Sequence, residues 1–320
     1  MYRKKKIGLA LGGGGARGFA HLGVLHALKN AGIEIDVFSG TSMGAIISVA
    51  YLQKGTLNHS EISLKRFVNQ YSRRFDSISF TETAGYKKKA FIRRLLNTIH
   101  NGIKFMNLAM KIYSNSGKLL DEITNEFIYP CNLEDLEKKV FICTVDIVSG
   151  NGILLTQGNA QKSIRACMSI AGCFPGVPLN NRILVDASAI IPVPIHAFNF
   201  EPVDIILASD VGVAIPQNYK PASALDLLLR QYDMMGNHVA SEIKYCSDYV
   251  IHPVLDDINW TDFRKLEVAV ERGYATCEKA IPDIIKLIES NKPLTPVSER
   301  PWHNARYKMS YVVIDHFPSV

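Results

Sequence analysis

A serine stands between two glycines in the pentapeptide GTSMG. The short run DVFS precedes this pentapeptide. The last two residues of the pentapeptide, Met and Gly, begin an apolar stretch of helical character, MGAIISVAYLQKG. This order predicts a strand, a sharp turn and a helix. On such a turn Ser42 would be an exposed nucleophile, with Gly40 and Gly44 keeping side chains away from it. The competing interpretation is that Ser42 or Thr41 only caps the helix, as such residues often do.

A second glycine-rich segment, LGGGGARG, follows the apolar run IGLAL and opens another helical stretch. Bare backbone N–H groups at the start of a helix bind anions, either a phosphate or a developing oxyanion. Gly13, Gly15 and Gly18 also satisfy G-x-G-x-x-G, so a dinucleotide site is a rival interpretation. No G-K-[ST] closes the loop, which excludes a Walker A motif. Together with GTSMG, the segment favours acyl transfer with an oxyanion hole.

A nucleophilic serine needs a proton acceptor, and the best candidate in the sequence is Asp186. It ends the strand-like run RILVD and is followed by two small residues, so we expect its carboxylate at the same sheet edge as Ser42. Asp146 and Asp210 also end strand-like runs and compete as structural turn residues.

Histidines are weaker candidates for the base. A hydrolase triad would require a late histidine in a strand–loop context with a partner acid, and none of His238, His252 and His303 has one. His21 and His26 lie on the predicted first helix, where a satisfied or solvated histidine is expected.

Strand-like runs alternate with helical patterns along the chain, which predicts a mostly parallel sheet covered by helices. The predicted strands are IGLAL (7–11), DVFS (36–39), VFICTVDI (140–147), RILV (182–185), DIILASD (204–210) and DYVIHP (248–253). A helix starting at Ala16 carries a stripe of small apolar residues and ends at Gly32, and another helix starts at Leu266. SGNG at 149–152 indicates a hairpin turn. We expect one α/β domain over 1–290, then a linker and tail over 291–320 with an extra or partner-binding strand within 305–316.

Composition is that of a globular protein: 320 residues, 47% hydrophobic and 21% charged. The six cysteines form no C-x-x-C pair, and no export signal is apparent, so we expect a cytoplasmic protein with reduced thiols. No run approaches the ~20 apolar residues of a membrane span, so any membrane contact would be peripheral, at the inner face.

Charge is concentrated in one segment. Residues 62–118 contain twelve Lys or Arg and two acids, a net charge of +10, which leaves −4 for the rest of the chain. Basic and apolar residues at helical spacing suit an interfacial helix on anionic lipid, although an ordinary solvated helical insertion has the same composition. No nucleic-acid-binding module is apparent. Because the insertion lies between the Ser42 and Asp186 segments, it could cap the cleft.

Together these residues resemble the patatin-like phospholipases, serine lipid acyl hydrolases with a Ser-Asp dyad. The resemblance runs from Ile7 to about Ile285 through four ordered segments: GGGGARGFAHLGVLHAL, IDVFSGTSMGAIIS, SIRACMSIAGCFPGVPLNNRILVDAS and IIPVPI. It implies a three-layer α/β/α sandwich with a mostly parallel sheet and a lipid or acyl-ester substrate. The implied site residues are Ser42 as nucleophile, Asp186 as base, and the amides of Gly13, Gly14 and Gly15 with Arg17 as the oxyanion hole.

The resemblance implies neither a metal nor a cofactor, and it leaves a homo-oligomer open. One departure concerns the base. The family writes its aspartate motif D-G-G or D-G-A, whereas this chain has Asp186-Ala187-Ser188. If the family glycine has positive φ, alanine there costs ~1 to 2 kcal/mol and could tilt the carboxylate. A catalytically weak or inactive binder of lipid or a partner on the same fold is therefore the alternative function.

Overall fold

The computed structural model describes residues 5–54, 113, 115–215, 224–241, 246–290 and 312–320. The predicted basic insertion therefore lies almost wholly outside the described residues. Nine strands of the described chain form one sheet. They are β1 (Ile7–Leu11), β2 (Val37–Thr41), β3 (Lys139–Asp146), β4 (Gly152–Leu155), β5 (Val177–Leu179), β6 (Arg182–Asp186), β7 (Ile205–Ser209), β8 (Tyr249–Ile251) and β9 (Val312–Asp315).

Six α-helices of the described residues accompany the sheet. They are α1 (Ala20–Asn30), α2 (Met43–Lys54), α3 (Lys118–Phe127), α4 (Ala160–Cys167), α5 (Ala224–Ser241) and α6 (Leu266–Glu289). A 3-10 turn over Gly15–Phe19 precedes α1, so the predicted first helix begins with a tighter turn. Its predicted end is confirmed, because Gly32 has φ +70° directly after the helix.

The parallel part of the sheet is built around β1, which lies between β2 and β7. β3 extends it beyond β2, and β8 extends it beyond β7, both in parallel. Three other pairs, β3 with β4, β3 with β6, and β5 with β6, are antiparallel. The prediction of a mostly parallel sheet is confirmed, and so is the SGNG hairpin, which joins β3 to β4.

Two apolar cores lie against the sheet. The larger contains buried residues of α1–α4 and α6, and the smaller is covered by the segment 187–198 and by Ala240 of α5. Every residue of β1, β2 and β7 is buried, as expected for strands covered on both faces. The sequences of these strands therefore lack the alternation of apolar and polar residues that is typical of strands with one exposed face.

The end of the chain contributes to the same sheet. β9 pairs in parallel with β4, and Phe317 is buried in the larger core. The predicted extra strand is thus present over Val312–Asp315 and pairs within its own chain. Residues 291–311 of the predicted linker and tail lie outside the described residues.

Helices α1 and α6 cross in unusually close contact. A Cβ at Gly23 would overlap the carbonyl oxygen of Val270, and a Cβ at Gly273 would overlap that of Ala20. Each helix thus offers a glycine where the other's backbone passes, which is why most of α1 is buried rather than one stripe.

We expect the Gly23→Ala variant to lower the free energy of unfolding by about 1 to 3 kcal/mol, because the added methyl group forces the two helices apart. In an uncrowded helix the same change stabilises by ~1 kcal/mol. Urea denaturation measures the effect. Lys29→Ala, at an exposed position of the same helix, is the control and should change the value by less than about 0.5 kcal/mol. A Gly23→Ala variant more stable than the wild type would contradict the close crossing.

Candidate active site

Ser42 occupies the turn between β2 and α2. Its φ of +52° lies in the left-handed region, which among the non-glycine residues described is shared only with Asn180. This conformation costs roughly 1 to 2 kcal/mol for a residue with a side chain. The Ser42 carbonyl accepts hydrogen bonds from the amides of Ala45 (3.0 Å) and Ile46 (3.2 Å), so the residue does occupy the N-cap position of α2.

The two glycines of the turn permit its tight packing. A Cβ at Gly40 would overlap the backbone of Ala45, which lies in the first turn of α2. A Cβ at Gly44 would overlap the carbonyl oxygens of Leu11 and Gly12, at the end of β1. Gly40 therefore allows the turn to fold on itself, whereas Gly44 brings it against the glycine-rich loop.

Asp186 reaches Ser42 through the register of β3. Cys143 pairs with Thr41 of β2 and with Leu154 of β4, so β2 and β4 lie on opposite edges of β3. The next residue of β3, Thr144, pairs with β4 on that edge and with Asp186 on the other. β2 and β6 therefore share one edge of β3 and end facing each other.

The sequence argument expected the Asp186 carboxylate at the same sheet edge as Ser42, because Asp186 ends a strand. In the structure β6 is antiparallel to β3 and approaches the serine turn from the direction opposite to β2. The two strand ends meet because the register with β3 brings them to adjacent positions.

The carboxyl group of Asp186 is buried and surrounded by hydrogen-bond donors. The Ser188 amide donates to its Oδ1 at 2.7 Å, and the side chains of Ser188 and Ser42 lie near enough to lower its pKa. Burial raises the pKa of Asp186, and these groups oppose that rise. Among the described residues no hydrogen bond joins the Ser42 hydroxyl to an amide of α2, and the same side chain lowers the pKa of Asp186.

The departure at Ala187 does not strain the backbone. Ala187 is not in the left-handed region, and it is fully buried. Its carbonyl accepts the amides of Ile190 (2.9 Å) and Ile191 (2.7 Å), which fixes the turn after β6. The expected cost of alanine at positive φ therefore does not arise.

The glycine-rich loop is held by hydrogen bonds from several elements. Gly12 N donates to Ser209 O of β7 (3.0 Å), and Ala16 N donates to Trp260 O (2.7 Å). The Gly13 amide, predicted as an oxyanion donor, instead donates to Pro192 O at 2.9 Å. The hydrogen bonds of the described residues use neither the Gly14 nor the Gly15 amide. Gly15 begins the 3-10 turn, so its N–H has no acceptor within that turn.

Gly13 brings the loop against the serine turn. A Cβ there would overlap the Ser188 Oγ and lie 3.5 Å from the Ser42 Cβ. The loop, the serine turn and the segment after β6 thus meet at Gly13. Arg17, also predicted in the oxyanion hole, lies in the 3-10 turn, and its amide donates to Gly14 O at 3.2 Å.

His21 is a buried connection between β7 and the loop. Its Nε2 lies 2.8 Å from Gly12 O and its Nδ1 lies 2.8 Å from the Ser209 Oγ. Because a carbonyl only accepts, Nε2 carries the proton and Nδ1 accepts from the serine hydroxyl. Burial lowers the pKa of His21 to about 4, against raising contributions from the Gly12 bond and the charge of Asp210. The prediction of a satisfied histidine on the first helix holds for His21.

The other acids have structural partners. Asp146 accepts the amides of Val148 and Ile183 and the hydroxyl of Ser149, so it closes the hairpin after β3. Asp210 accepts the Gly212 amide at 2.8 Å and lies 3.4 Å from the Nδ1 of His252. His252 thus has a partner acid, but that acid is at the end of β7.

The sequence missed the groups that organise the site from a distance. The carbonyls of Pro192, Ser209 and Trp260 hold the loop, and the Ser188 side chain lies near the carboxylate. No local pattern marks a carbonyl acceptor that lies about 180 to 245 residues away along the chain. Ser188 carried a detectable signal, because it departs from the glycine or alanine of the family motif.

The family to which the chain belongs follows from comparison with known proteins. The family model "Patatin-like phospholipase" matches residues 9–199, which is more than half of the chain and contains both Ser42 and Asp186. The chain therefore belongs to the patatin-like phospholipase family, and the resemblance noted in the sequence is confirmed.

Curated relatives are much longer proteins. Lysophospholipase NTE1 of Candida albicans is 23% identical over 302 residues, covering 87% of this chain and 20% of that protein. The protein of the same name from Yarrowia lipolytica is 27% identical over 236 residues, covering 72% and 15%. Patatin-like phospholipase domain-containing protein 7 of Mus musculus is 25% identical over 301 residues, covering 86% and 20%. This chain spans a fifth or less of the length of these relatives.

Solved structures show more distant likeness. VipD from Legionella pneumophila has 12% identity and a TM-score of 0.41, with 88% of this chain and 67% of that chain covered. Human GIVD cytosolic phospholipase A2 has 11% identity and a TM-score of 0.43, with 90% and 60% covered. The family match and the sheet topology, rather than these values, define the fold.

His21 should make stability depend on pH. Its folded pKa of about 4 lies below the ordinary value of 6.5. Between these two pH values His21 is therefore protonated in the unfolded chain and neutral in the folded chain. The stabilisation is complete above pH 6.5 and is lost as the pH falls toward 4. Between pH 7.5 and pH 5 the wild type should lose roughly 2 kcal/mol more than His21→Gln, whose amide can still donate to Gly12 O.

Denaturant unfolding of both proteins at the two pH values measures this difference. Other titrating groups contribute equally to both proteins and cancel. Equal losses in the wild type and the variant would show that His21 does not stay neutral in the folded protein.

Proposed function

We propose that this chain is a serine acyl hydrolase that cleaves carboxylic esters of lipids, with Ser42 as nucleophile and Asp186 as base. The observation that carries the proposal is that the Ser42 side chain, on a turn held at positive φ, lies beside the buried carboxylate of Asp186 and lowers the pKa of that carboxyl group. Family membership and the names of the lysophospholipase relatives support a lipid ester as the substrate.

In the proposed reaction, Asp186 accepts the hydroxyl proton of Ser42 as the Oγ attacks the ester carbonyl carbon. Collapse of the tetrahedral intermediate breaks the bond to the alcohol, which takes the proton from Asp186 and leaves an acyl-serine. A water molecule then gives its proton to Asp186, attacks the acyl carbon and releases the fatty acid, and Ser42 regains its proton. Burial favours the protonated form of Asp186, which makes the carboxylate a stronger base than one in water.

The negative charge on the intermediate requires donors that are fixed beforehand. We assign this role to the amides of Gly14 and Gly15, which the described hydrogen bonds leave unused, with α2 starting directly after Ser42. The Gly13 amide is already bonded to Pro192 O, so in this proposal Gly13 serves to bring the loop against Ser42.

The alternatives from the sequence have less support. A dinucleotide-binding oxidoreductase has no use for a serine turn pressed against its glycine loop, as observed at Gly13. The inactive binder was suggested by the strain expected at Ala187, which is absent. Peripheral binding to anionic membrane through 62–118 stays a prediction, since that segment lies outside the described residues. None of the described helices is both long and apolar enough to cross a bilayer.

Replacing Ser42 with Ala or Asp186 with Asn should reduce kcat for lysophosphatidylcholine and p-nitrophenyl butyrate by at least about 10³-fold, because each change removes one partner of the proton transfer. Release of fatty acid and of nitrophenol measures the rates. Asp146→Asn is the matched control, since it changes another strand-end aspartate, and it should retain wild-type rates. Wild-type rates from Ser42→Ala would end the proposal.

A further inference from the structure

Arg165 of α4 carries a positive charge that the protein largely buries, since its side chain is only 11% exposed. It belongs to SIRACMS, within one of the segments that resemble the family, and the proposed reaction gives it no role. A buried charge is costly unless it is paired and hydrogen-bonded. The contacts of Arg165 therefore indicate what its guanidinium group holds in place.

The guanidinium group joins α4 to the start of α3. Its Nε donates to the Asp121 Oδ1 at 2.7 Å, in the first turn of α3. Its Nη2 lies against Gly117, the residue before α3, so closely that a Cβ on Gly117 would overlap it. The side chain of Asp121 is more than half exposed, so this ion pair by itself contributes little to stability.

The same guanidinium group also holds Ser169, which is fully buried. Its Nη1 donates to the Ser169 Oγ, and the Ser169 hydroxyl donates to the carbonyl oxygen of Arg165 at 2.8 Å. Ser169 is thus bonded to both the side chain and the backbone of Arg165. These two bonds fix the orientation of Ser169 just beyond the end of α4.

The carbonyl oxygen of Ser169 connects this cluster to the proposed base. It accepts the backbone amide of Asp186 at 2.9 Å. β5 pairs with β6 only as far as Leu184, so this strand pairing does not extend to Asp186. Ser169 therefore supplies a hydrogen bond to the end of β6 that β5 does not.

We propose that Arg165 is a positioning residue that holds the Asp186 backbone in place through Ser169. The Ser169 carbonyl then keeps the carboxylate of Asp186 directed at Ser42. This inference rests on the proposed function. The backbone of Asp186 sets where its carboxylate lies, and a displacement of reacting groups by about 1 Å can lower a rate by roughly 10²-fold. Arg165 itself touches neither the substrate nor the reacting atoms.

The chain offers a matched control on the same helix. Gln161 lies one turn before Arg165 on α4, and its Nε2 donates to the Asn125 Oδ1 at 3.2 Å and to Ile128 O at 2.8 Å. Both acceptors lie at the end of α3 opposite to the end that Arg165 holds. Gln161→Met therefore removes hydrogen bonds of α4 to α3 and its C-terminal flank and leaves the link to the proposed base intact.

The test measures kcat and KM of the full chain for p-nitrophenyl butyrate. Arg165→Met removes the guanidinium bonds and should lower kcat by about 10- to 100-fold, because the carboxylate is no longer held in place. KM should stay within about twofold of the wild type, since the groups that bind the substrate are unchanged. Gln161→Met should keep both values within about twofold. Urea denaturation shows which variants are folded under the assay conditions.

Gly117→Ala perturbs the same group from a distance. Gly117 has the helical φ and ψ of −65° and −12°, so alanine suits its backbone, and the added methyl group displaces the guanidinium group of Arg165. We expect kcat to fall by at least about threefold, again with KM unchanged. This variant keeps every side chain of the hydrogen-bonded cluster.

Wild-type kcat in a folded Arg165→Met or Gly117→Ala overturns the inference. An equal loss in Gln161→Met also overturns it, because such a loss indicates a general role of α3–α4 packing. Should Arg165→Met not fold, Gly117→Ala decides by itself. These outcomes leave the proposed function standing when Ser42→Ala is inactive in the same assay. If Ser42→Ala is as active as the wild type, the proposed function fails and this inference fails with it.

Discussion

The structure around the site depends on two strands that share one edge of β3. β2 occupies the first part of that edge and β6 the last part, and they run toward each other until Thr41 and Asp186 lie at neighbouring positions of the ladder. The chain after Thr41 cannot continue along β3, because Asp186 already pairs with Thr144, the next residue of β3. Ser42 turns out of the sheet at positive φ, and its side chain lies beside the carboxylate. The pairing of β2 and β6 with the same edge of β3 therefore explains both the positive φ of Ser42 and its closeness to Asp186.

Backbone packing then decides which glycines are needed. Gly44 allows α2 to start against the carbonyls of Leu11 and Gly12, and Gly13 allows the loop to touch both Ser42 and Ser188. Hydrogen bonds from the loop amides to the carbonyls of Ser209, Pro192 and Trp260 hold the loop there. A loop held in this way needs little reorganisation when charge develops beside it, as the proposed oxyanion site requires.

The electrostatics of the site rely on a buried carboxylate surrounded by hydroxyl and amide donors. Burial raises the pKa of Asp186, and the side chains of Ser188 and Ser42 restrain the rise. His21 shows the same balance on the other side of the loop, because burial keeps its ring neutral and allows it to donate to Gly12 O. In both groups burial is the largest cause of the pKa shift.

The sequence by itself determined the local elements and the candidate site residues. Strand, turn and helix around Ser42, the glycine loop after β1 and the cap at Gly32 follow from periodicity and backbone preferences, which act over a few residues. Only the tertiary structure decided the direction of β6 and the bond from the Gly13 amide to Pro192 O. Strand direction, register and hydrogen-bond partners are set by contacts between distant segments, and no local pattern in a single chain encodes them.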